Sequence, residues 1–586
     1  MRAAAAAFCP QKTTETTPFR VFEQRRRHHR IIGTTPHFVT EFYRRKRRPS
    51  SSSFSAASSS SSPEMPKTTP ESLKRLQNGS DVRGVALAGV ENEPITITPE
   101  SVFCLGCAFV DWLRETEKCT AEYPVCTIGI GRDPRLSGPS LKDAFARGVQ
   151  FKGGVAIDCE LSTTPACFFA TVDNRELGPA YEGCVMLTAS HLPFNRNGIK
   201  FFTKDGGLDK KDVGFMCERA AEYIAEAEKE MAKGGEANIE SRPYIDKYSS
   251  ILRDKIIKGI NDGTNEPLKG FKIVVDAGNG SGGFFATKVL EPLGADCTGS
   301  QFLDPDGMFP NHAPNPEEKE AMESATKAVL ASKADLGIVF DTDVDRSAVI
   351  DSFGKEINRN KLIAVLSHIA LQKEPGSTIV TDSVTSSGLK TFIESKAGIH
   401  LRYMRGYKNV INKGIELNSK GINAPLMIET SGHGAMKENY NLDDGAYLAV
   451  KIIIEAVKRK NAGGGGIGEI LESLKEPLES SEVRLKIANP EFKKVGSDVI
   501  EQFKQAIESG YFEPNFVCAE ENFEGIRAES EGKGWFLLRS SLHDPVMVLN
   551  IESDEEGGVK KYAEQIVKWF EEKKFADVDA SAIATI

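Results

Sequence analysis

Three aspartates alternate in the stretch LGIVFDTDVDRSAVID (336–351): Asp341, Asp343 and Asp345. Carboxylates this close repel one another unless a cation offsets their charge. An all-oxygen donor set of this kind suits Mg²⁺. An EF-hand is excluded, because its sixth position would be Arg346 where glycine is required and its twelfth Ser352 in place of glutamate. A divalent ion on three aspartates carries a net charge of about −1 and still accepts another oxygen, for which phosphate is magnesium's usual partner. A merely solvated acidic turn fits poorly between two apolar runs, Leu336–Phe340 and Ser347–Ile350.

A second stretch, TASHLPFNRNGIKFF (188–202), sets Ser190 beside His191 at the end of the apolar run Cys184–Leu187, in a loop that closes on Lys200. A hydrolase nucleophile would call for a G-x-S-x-G elbow and an acid behind the histidine. A serine that carries a phosphoryl group calls for a metal, cationic partners and an acid/base near the incoming hydroxyl. The chain supplies the second set.

These residues need a scaffold, and three segments share one shape suited to it: apolar strand, loop of small residues, amphipathic helix. They are VCTIGIGRDPRLSGPSLKDAFARGV (125–149), KIVVDAGNGSGGFFATKVLEPLGA (272–295) and STIVTDSVTSSGLKTFIESKAGI (377–399). Repeated units of this kind predict α/β domains whose largely parallel sheets are covered by helices. A charged amphipathic helix is expected over Lys210–Lys233, a glycine-rich link over Asn461–Gly466, and a smaller α+β unit from about Val483, ending in a helix over Val559–Lys574.

Four short strings, TASHLPFNRNGIK, DTDVDR, ETSGH (429–433) and RSSLHDP (539–545), occur in this order. They resemble the four signature loops of the α-D-phosphohexomutase superfamily, the phosphoglucomutases, phosphomannomutases and phosphoglucosamine mutases. The similarity spans about residues 76–575. It implies four domains around a central cleft, three related α/β domains with mixed, mostly parallel sheets and a smaller C-terminal α+β domain, each giving one loop. The expected boundaries are 76–245, 246–357, 358–478 and 479–575, after a leader over 1–70. By this resemblance Ser190 is the phosphoserine and, with Asp341, Asp343 and Asp345, a ligand of Mg²⁺. Glu429 and Ser431 grip sugar hydroxyls, Arg405 and Lys408 lie in a sugar- and phosphate-contacting loop, and Arg539, Ser541 and His543 form the distal phosphate loop. Arg83, in Asp81-Val-Arg83-Gly84, and Arg346 balance the phosphoserine, while Lys200 and His433 are acid/base candidates and His191 neighbours the nucleophile. The implied reaction interconverts hexose 1- and 6-phosphates through a hexose 1,6-bisphosphate that is both intermediate and activator. Departures from the family pattern fall at Leu192, Thr342, Ile428 and Leu542-His543-Asp544, and they blur the sugar assignment.

Other readings compete. IVFDTDV (338–344) fits the strand-D-x-D pattern of HAD-type phosphatases with Asp341 as nucleophile and Asp443-Asp444 as the later acidic motif, but leaves the Ser190 and Arg539 loops unexplained. A non-catalytic sugar-phosphate sensor, or a synthase that releases hexose 1,6-bisphosphate, would use the same fold. Gly278-Asn-Gly280-Ser-Gly-Gly283 matches G-x-G-x-x-G, yet a lone match reads better as a tight strand-to-helix turn. PDGMFPNHAPNP (305–316), rich in proline, reads as a structural connection. Of the six histidines beyond the leader, His191, His312, His433 and His543 lie in such motif-like segments.

The 586 residues are 40% hydrophobic and 27% charged, ordinary for a soluble globular chain, and no apolar stretch reaches the roughly 18–20 residues of a membrane helix. The first 62 residues hold twelve Lys and Arg against Glu15, Glu23 and Glu41 and end in the serine tract Ser50–Ser62. An arginine- and serine-rich, acid-poor leader of this kind resembles an organelle transit peptide and points to the chloroplast stroma. The remainder carries 62 Lys and Arg against 80 Asp and Glu, a net charge of −18, which disfavours nucleic acid and leaves small-molecule sugar phosphates as the expected partners of a monomer or weak homo-oligomer. Eleven cysteines lack framework spacing and are expected as reduced thiols in cores, with Cys104 and Cys107 packed inside a buried helix.

Overall fold

The computed structural model describes residues 65–116, 118–119, 125–172, 181–541 and 544–586. The predicted leader, and Leu542 and His543 of the last loop, lie outside the described residues. Four sheets follow one another along the chain.

In the first sheet the long strands run in the order Asp81–Val85, Arg196–Thr203, Gly183–Leu187, Thr127–Arg132, Val155–Leu161. The last three are parallel, and the first two antiparallel to their neighbours. In the second, Ile273–Asp276 lies parallel to Leu336–Phe340, which pairs antiparallel with Ser347–Asp351 in the register Phe340↔Ser347. In the third, Ile399–Tyr403, Thr378–Asp382 and Leu426–Ile428 are parallel, and Gly434–Met436 turns back on the last. The fourth sheet is antiparallel throughout.

Each of the first three sheets therefore joins parallel strands to an antiparallel hairpin whose loop is the chemistry-bearing string: 188–195, 341–346 and 429–433. The hairpin is not visible in the strand–loop–helix pattern, which reports only the parallel half. A buried aspartate stands at or just past the end of the neighbouring parallel strand each time, namely Asp133, Asp276 and Asp382, all fully buried. Each accepts hydrogen bonds from backbone or side-chain donors of a nearby loop, as a buried carboxylate must.

The helix Pro99–Glu115 shows how local sequence meets packing. Thr98 and Ser101 form a reciprocal capping box with proline at the first turn. The helix is buried over Val102–Val110 because it presses onto the helix Gly138–Phe151. There a Cβ on Gly148 would come within 2.2 Å of the Phe103 carbonyl oxygen, so glycine alone permits the approach. Cys107 donates to the Gly148 carbonyl, and burial pushes both Cys104 and Cys107 thiols up, Cys104 to about 12; these are packing residues. Cys119 and Cys126 form a disulfide with Cα atoms 5.7 Å apart, which corrects the expectation that every cysteine is a free thiol. Their spacing carries no framework signature, but the separation is within the range a disulfide spans. The expected single helix Lys210–Lys233 is two helices, Lys210–Arg219 and Ile224–Ala232, joined by a 3₁₀ turn.

One apolar cluster runs across the first three domains, from Ile157 to Ile470, knitted by the helices Thr164–Val172, Ile245–Ile260 and Gly445–Asn461, and the first domain adds a second cluster from Leu73 to Ala227. The fourth domain has a separate core of its own, from Val483 to Ile583. No helix among the described residues is long and apolar enough to cross a membrane.

Candidate active site

The hairpin register sets the first two loops face to face. Ser190 follows the strand Gly183–Leu187, and its backbone is left-handed, φ +50°, a conformation that costs a non-glycine residue energy unless its surroundings hold it. They do: the Ser190 amide donates to Thr188 Oγ1 at 2.9 Å. The fully buried Arg135 pairs with Asp133 and donates to the carbonyls of Ser190, Leu192, Pro193 and Arg196. Five acceptors around one guanidinium make the loop rigid.

Ser190 Oγ donates to Asp341 Oδ2 at 3.1 Å and receives a hydrogen bond from Arg346 Nη2 at 3.2 Å. Asp341, Asp343 and Asp345 are all buried and offer oxygens within 4.8 Å of one another. Asp343 Oδ1 and Asp345 Oδ1 have no hydrogen-bond partner. Buried carboxylate oxygens without donors, converging from three side chains, suit a small hard cation. Val344, between two of them, also takes a left-handed φ of +66°, as a loop pointing three carboxylates one way requires.

Lys200 lies opposite Met186 in the hairpin. Its ammonium reaches Asp343 at 2.8 Å and also contacts Asp345. Burial opposes the charge, yet the two carboxylates hold Lys200 well above the usual lysine range. Despite burial, the Lys200 ammonium, with the Arg346 charge behind it, keeps Asp345 well below the usual carboxylate range. Asp341 is pushed up, by burial first and by Asp345 second. Thr164, at the start of a helix, fastens the metal loop to the first domain by donating through its amide to the Asp343 carbonyl and through its hydroxyl to Asp343 Oδ2.

His191 sits beside Ser190, its Nδ1 3.4 Å from Ser190 Oγ and 2.7 Å from Arg346 Nη2. Desolvation, then the Arg346 and Arg83 charges, push it down to about 3. Asp341 makes a poor nucleophile here, since Oδ1 accepts from the Arg346 amide and Oδ2 from Arg346 Nε and Ser190.

The third domain closes over this floor. His433 Nε2 is 3.5 Å from Asp345 Oδ1, and its Nδ1 is 3.0 Å from Ser431 Oγ. Tyr407 stacks on the His433 ring at 5.1 Å and reaches Asp81, which pairs with Arg83 at 2.8 Å. Glu429 accepts from the Gly406 amide and from Ser431 Oγ, and burial together with Asp382 pushes it up to about 8. Lys408 turns to the first domain, donating to the Gly207 carbonyl at 2.6 Å, with Asp209 at 3.5 Å.

At the far end, Arg405 lies 3.9 Å from Asp382 and 3.7 Å from Glu482, and its amide donates to Glu524. Arg539 ends its strand half-buried with Nε unpartnered, and burial lowers its pKa. Ser541 Oγ accepts from the Asp544 amide in the turn. His543 lies outside the described residues.

Arg135, Thr164 and Tyr407 are not identifiable in these roles from sequence. Arg135 stands in the first strand–loop–helix segment and Tyr407 between Arg405 and Lys408, but a side chain's reach to another loop leaves no trace in spacing. The turn Gly278–Gly283 is the strand-to-helix turn expected, and it buttresses the metal loop: a Cβ on Gly280 would meet Thr342 Cα at 2.8 Å, and the Ser281 amide donates to the Thr342 carbonyl.

Three family models match in succession: phosphoglucomutase/phosphomannomutase alpha/beta/alpha domain I over residues 74–228, domain II over 244–354 and domain III over 358–476. A phosphomannomutase/phosphoglucomutase of Pseudomonas aeruginosa is 29% identical, covering 83% of this chain and 93% of its own. A phosphoglucomutase of Neisseria gonorrhoeae is 28% identical over 80% and 92%. Among solved structures, a phosphoglucomutase/phosphomannomutase family protein from Burkholderia thailandensis superimposes with a TM-score of 0.66 at 25% identity, covering 86% of this chain and 98% of its own.

Proposed function

The chain belongs to the phosphohexomutase superfamily and is a mutase, an intramolecular phosphotransferase, and from that premise we propose that Ser190 is its phosphoryl carrier. The observation that carries this reading is the placement of Ser190 Oγ, 3.1 Å from Asp341 and 3.2 Å from Arg346. Asp341, Asp343 and Asp345 would hold Mg²⁺, which when bound offsets charge on the phosphoryl group.

The chain's own residues do the rest. Arg346 and Arg83 face the phosphate on Ser190 with fixed donors. Lys200, held charged by its aspartates, adds a cation beside it. His433, with Nδ1 3.0 Å from Ser431 Oγ and Nε2 3.5 Å from Asp345, is placed to take the proton of the incoming sugar hydroxyl. Glu429 and Ser431 orient the sugar, and Arg405 and Arg539 take its distal phosphate. Transfer from Ser190 yields hexose 1,6-bisphosphate; the sugar exchanges ends, and Ser190 recovers the other phosphate. The HAD-type reading is not favoured, since Asp341 is fully engaged and Ser190 is not explained by it. We read residues 1–62, on their composition, as a plastid-directing leader.

Ser190→Ala tests the reading. We expect mutase turnover to fall by more than about 10⁴-fold while binding of hexose phosphate by calorimetry is retained. Retained turnover would reject Ser190 as the carrier.

A further inference from the structure

The proline-rich stretch 305–316 reads in sequence as a connection, yet it ends against the catalytic arginine. Arg346 is 1% exposed, and its guanidinium is shared out completely. Nε goes to Asp341 at 3.1 Å, and Nη2 to Ser190 Oγ at 3.2 Å and His191 at 2.7 Å. Nη1 goes to Asn315 Oδ1 at 3.1 Å and faces Glu317 Oε2 at 3.5 Å. A guanidinium is a planar fork whose donors cannot move independently. Anchoring Nε and Nη1 therefore fixes where Nη2 points.

Asn315 is itself over-determined. Its Oδ1 also accepts from the Glu317 amide, while its own amide donates to the Ala313 carbonyl and its carbonyl receives the Glu318 amide. Asn358 holds the next carbonyl, that of Pro316, at 2.6 Å. Upstream, His312 Nε2 meets the buried Asp276 at 3.1 Å, and Asn311 Nδ2 donates to Asn279 at 2.7 Å. The glycine turn closes the cradle: a Cβ on Gly278 would fall 2.8 Å from Pro314 Cβ.

We propose that Asn315 and Glu317 are positioning residues that hold one arm of Arg346 so that the other stays aimed at the oxygen of Ser190. The proposal rests on the reading of Ser190 as phosphoryl carrier. Displacing such a donor by about 1 Å can cost about 10²-fold in rate, so loss of the anchor is felt at the transfer step while the sugar's own contacts remain.

The test is a double-mutant cycle on the full chain, with glucose 1,6-bisphosphate as activator and whichever of glucose 1-phosphate and mannose 1-phosphate the unsubstituted protein turns over faster. Asn315→Ala is expected to lower kcat about 10- to 100-fold with KM within about threefold. Asn315→Asp, which keeps the accepting oxygen, restores kcat to within about threefold. Added to Arg346→Ala, Asn315→Ala costs nothing further, because the arm it anchors is gone. Additive losses, no rescue by Asn315→Asp, or full activity in Asn315→Ala would overturn the proposal. If Asn315→Ala fails to fold, Glu317→Ala, on a side chain 27% exposed, replaces it in the cycle: a non-additive kcat loss supports the anchor, and an additive loss or full activity overturns it. Full activity in Arg346→Ala alone would instead sink the assignment of Arg346 to the phosphate.

Discussion

The two ends of the cleft are built differently. At the near end, Ser190, Lys200, Asp341, Asp343, Asp345 and Arg346 are all less than 5% exposed and interlock across the first two domains, which share one core. At the far end, Arg405 is 29% exposed at the side chain, Arg539 is half-buried, and their neighbours are carboxylates, Glu482 and Glu524, of a domain whose core is separate. That domain meets the third largely through polar contacts, such as the buried Arg527 donating to the carbonyls of Ser383 and Thr385. Bond making at the near end needs atoms fixed in advance. If the far end takes the sugar's distal phosphate as proposed, it must release one phosphate and accept another, and its arginines face partners that a ligand can displace.

Arg539→Ala should separate the ends most clearly. A charge-assisted contact contributes about 1.5–3 kcal/mol, so KM for the hexose monophosphate should rise about 10- to 100-fold with kcat changed far less. A kcat loss matching that of Ser190→Ala would erase the distinction between the two ends. Glu482→Gln works in the opposite direction and more weakly. Glu482 lies 3.7 Å from Arg405, and removing its charge frees that arginine for phosphate, so KM should fall about two- to fivefold, the scale of a partly exposed ion pair. A rise in KM would show that Glu482 orients Arg405 and does not compete for it.

The near end is far more legible in the sequence than the far end. DTDVDR and TASH carry their chemistry in consecutive residues, because one tight loop must present several groups, and each ends an apolar strand that sequence pattern can find. Arg135, which holds the Ser190 loop by four carbonyls, stands in plain view in GRDPR, but its targets lie 55 to 61 residues away. The counter-charges of the far end, Glu482 and Glu524, belong to no motif and gain meaning only where a strand edge meets a loop. The three related α/β sheets follow from the three repeated strand–loop–helix units. The hairpin that carries each loop does not, because an antiparallel return leaves the same apolar run as a parallel strand.

The smallest expected difference is in pH dependence, where one group behind each end, His312 and Glu482, should lose its stabilising contribution in opposite directions. His312, behind the near end, is raised above 6.5: burial opposes the charge, but the hydrogen bond and charge of Asp276 outweigh it. A histidine raised on folding stabilises fully below its unfolded pKa, and that contribution is lost as pH climbs through the folded value. Glu482, at the far end, is lowered below 4.5: burial opposes ionisation, but Asn550 and Arg405 prevail. Its contribution is present above 4.5 and is lost as pH falls through the depressed value. Glu429, raised to about 8, adds an alkaline loss of its own, so variants and not the parent curve must separate the limbs. Urea midpoints measured across pH should show His312→Gln flattening the alkaline limb alone and Glu482→Gln the acid limb alone. Either variant flattening both limbs would mean that the two ends titrate as one unit, and the contrast between a fixed end and an exchangeable one would lose its electrostatic basis.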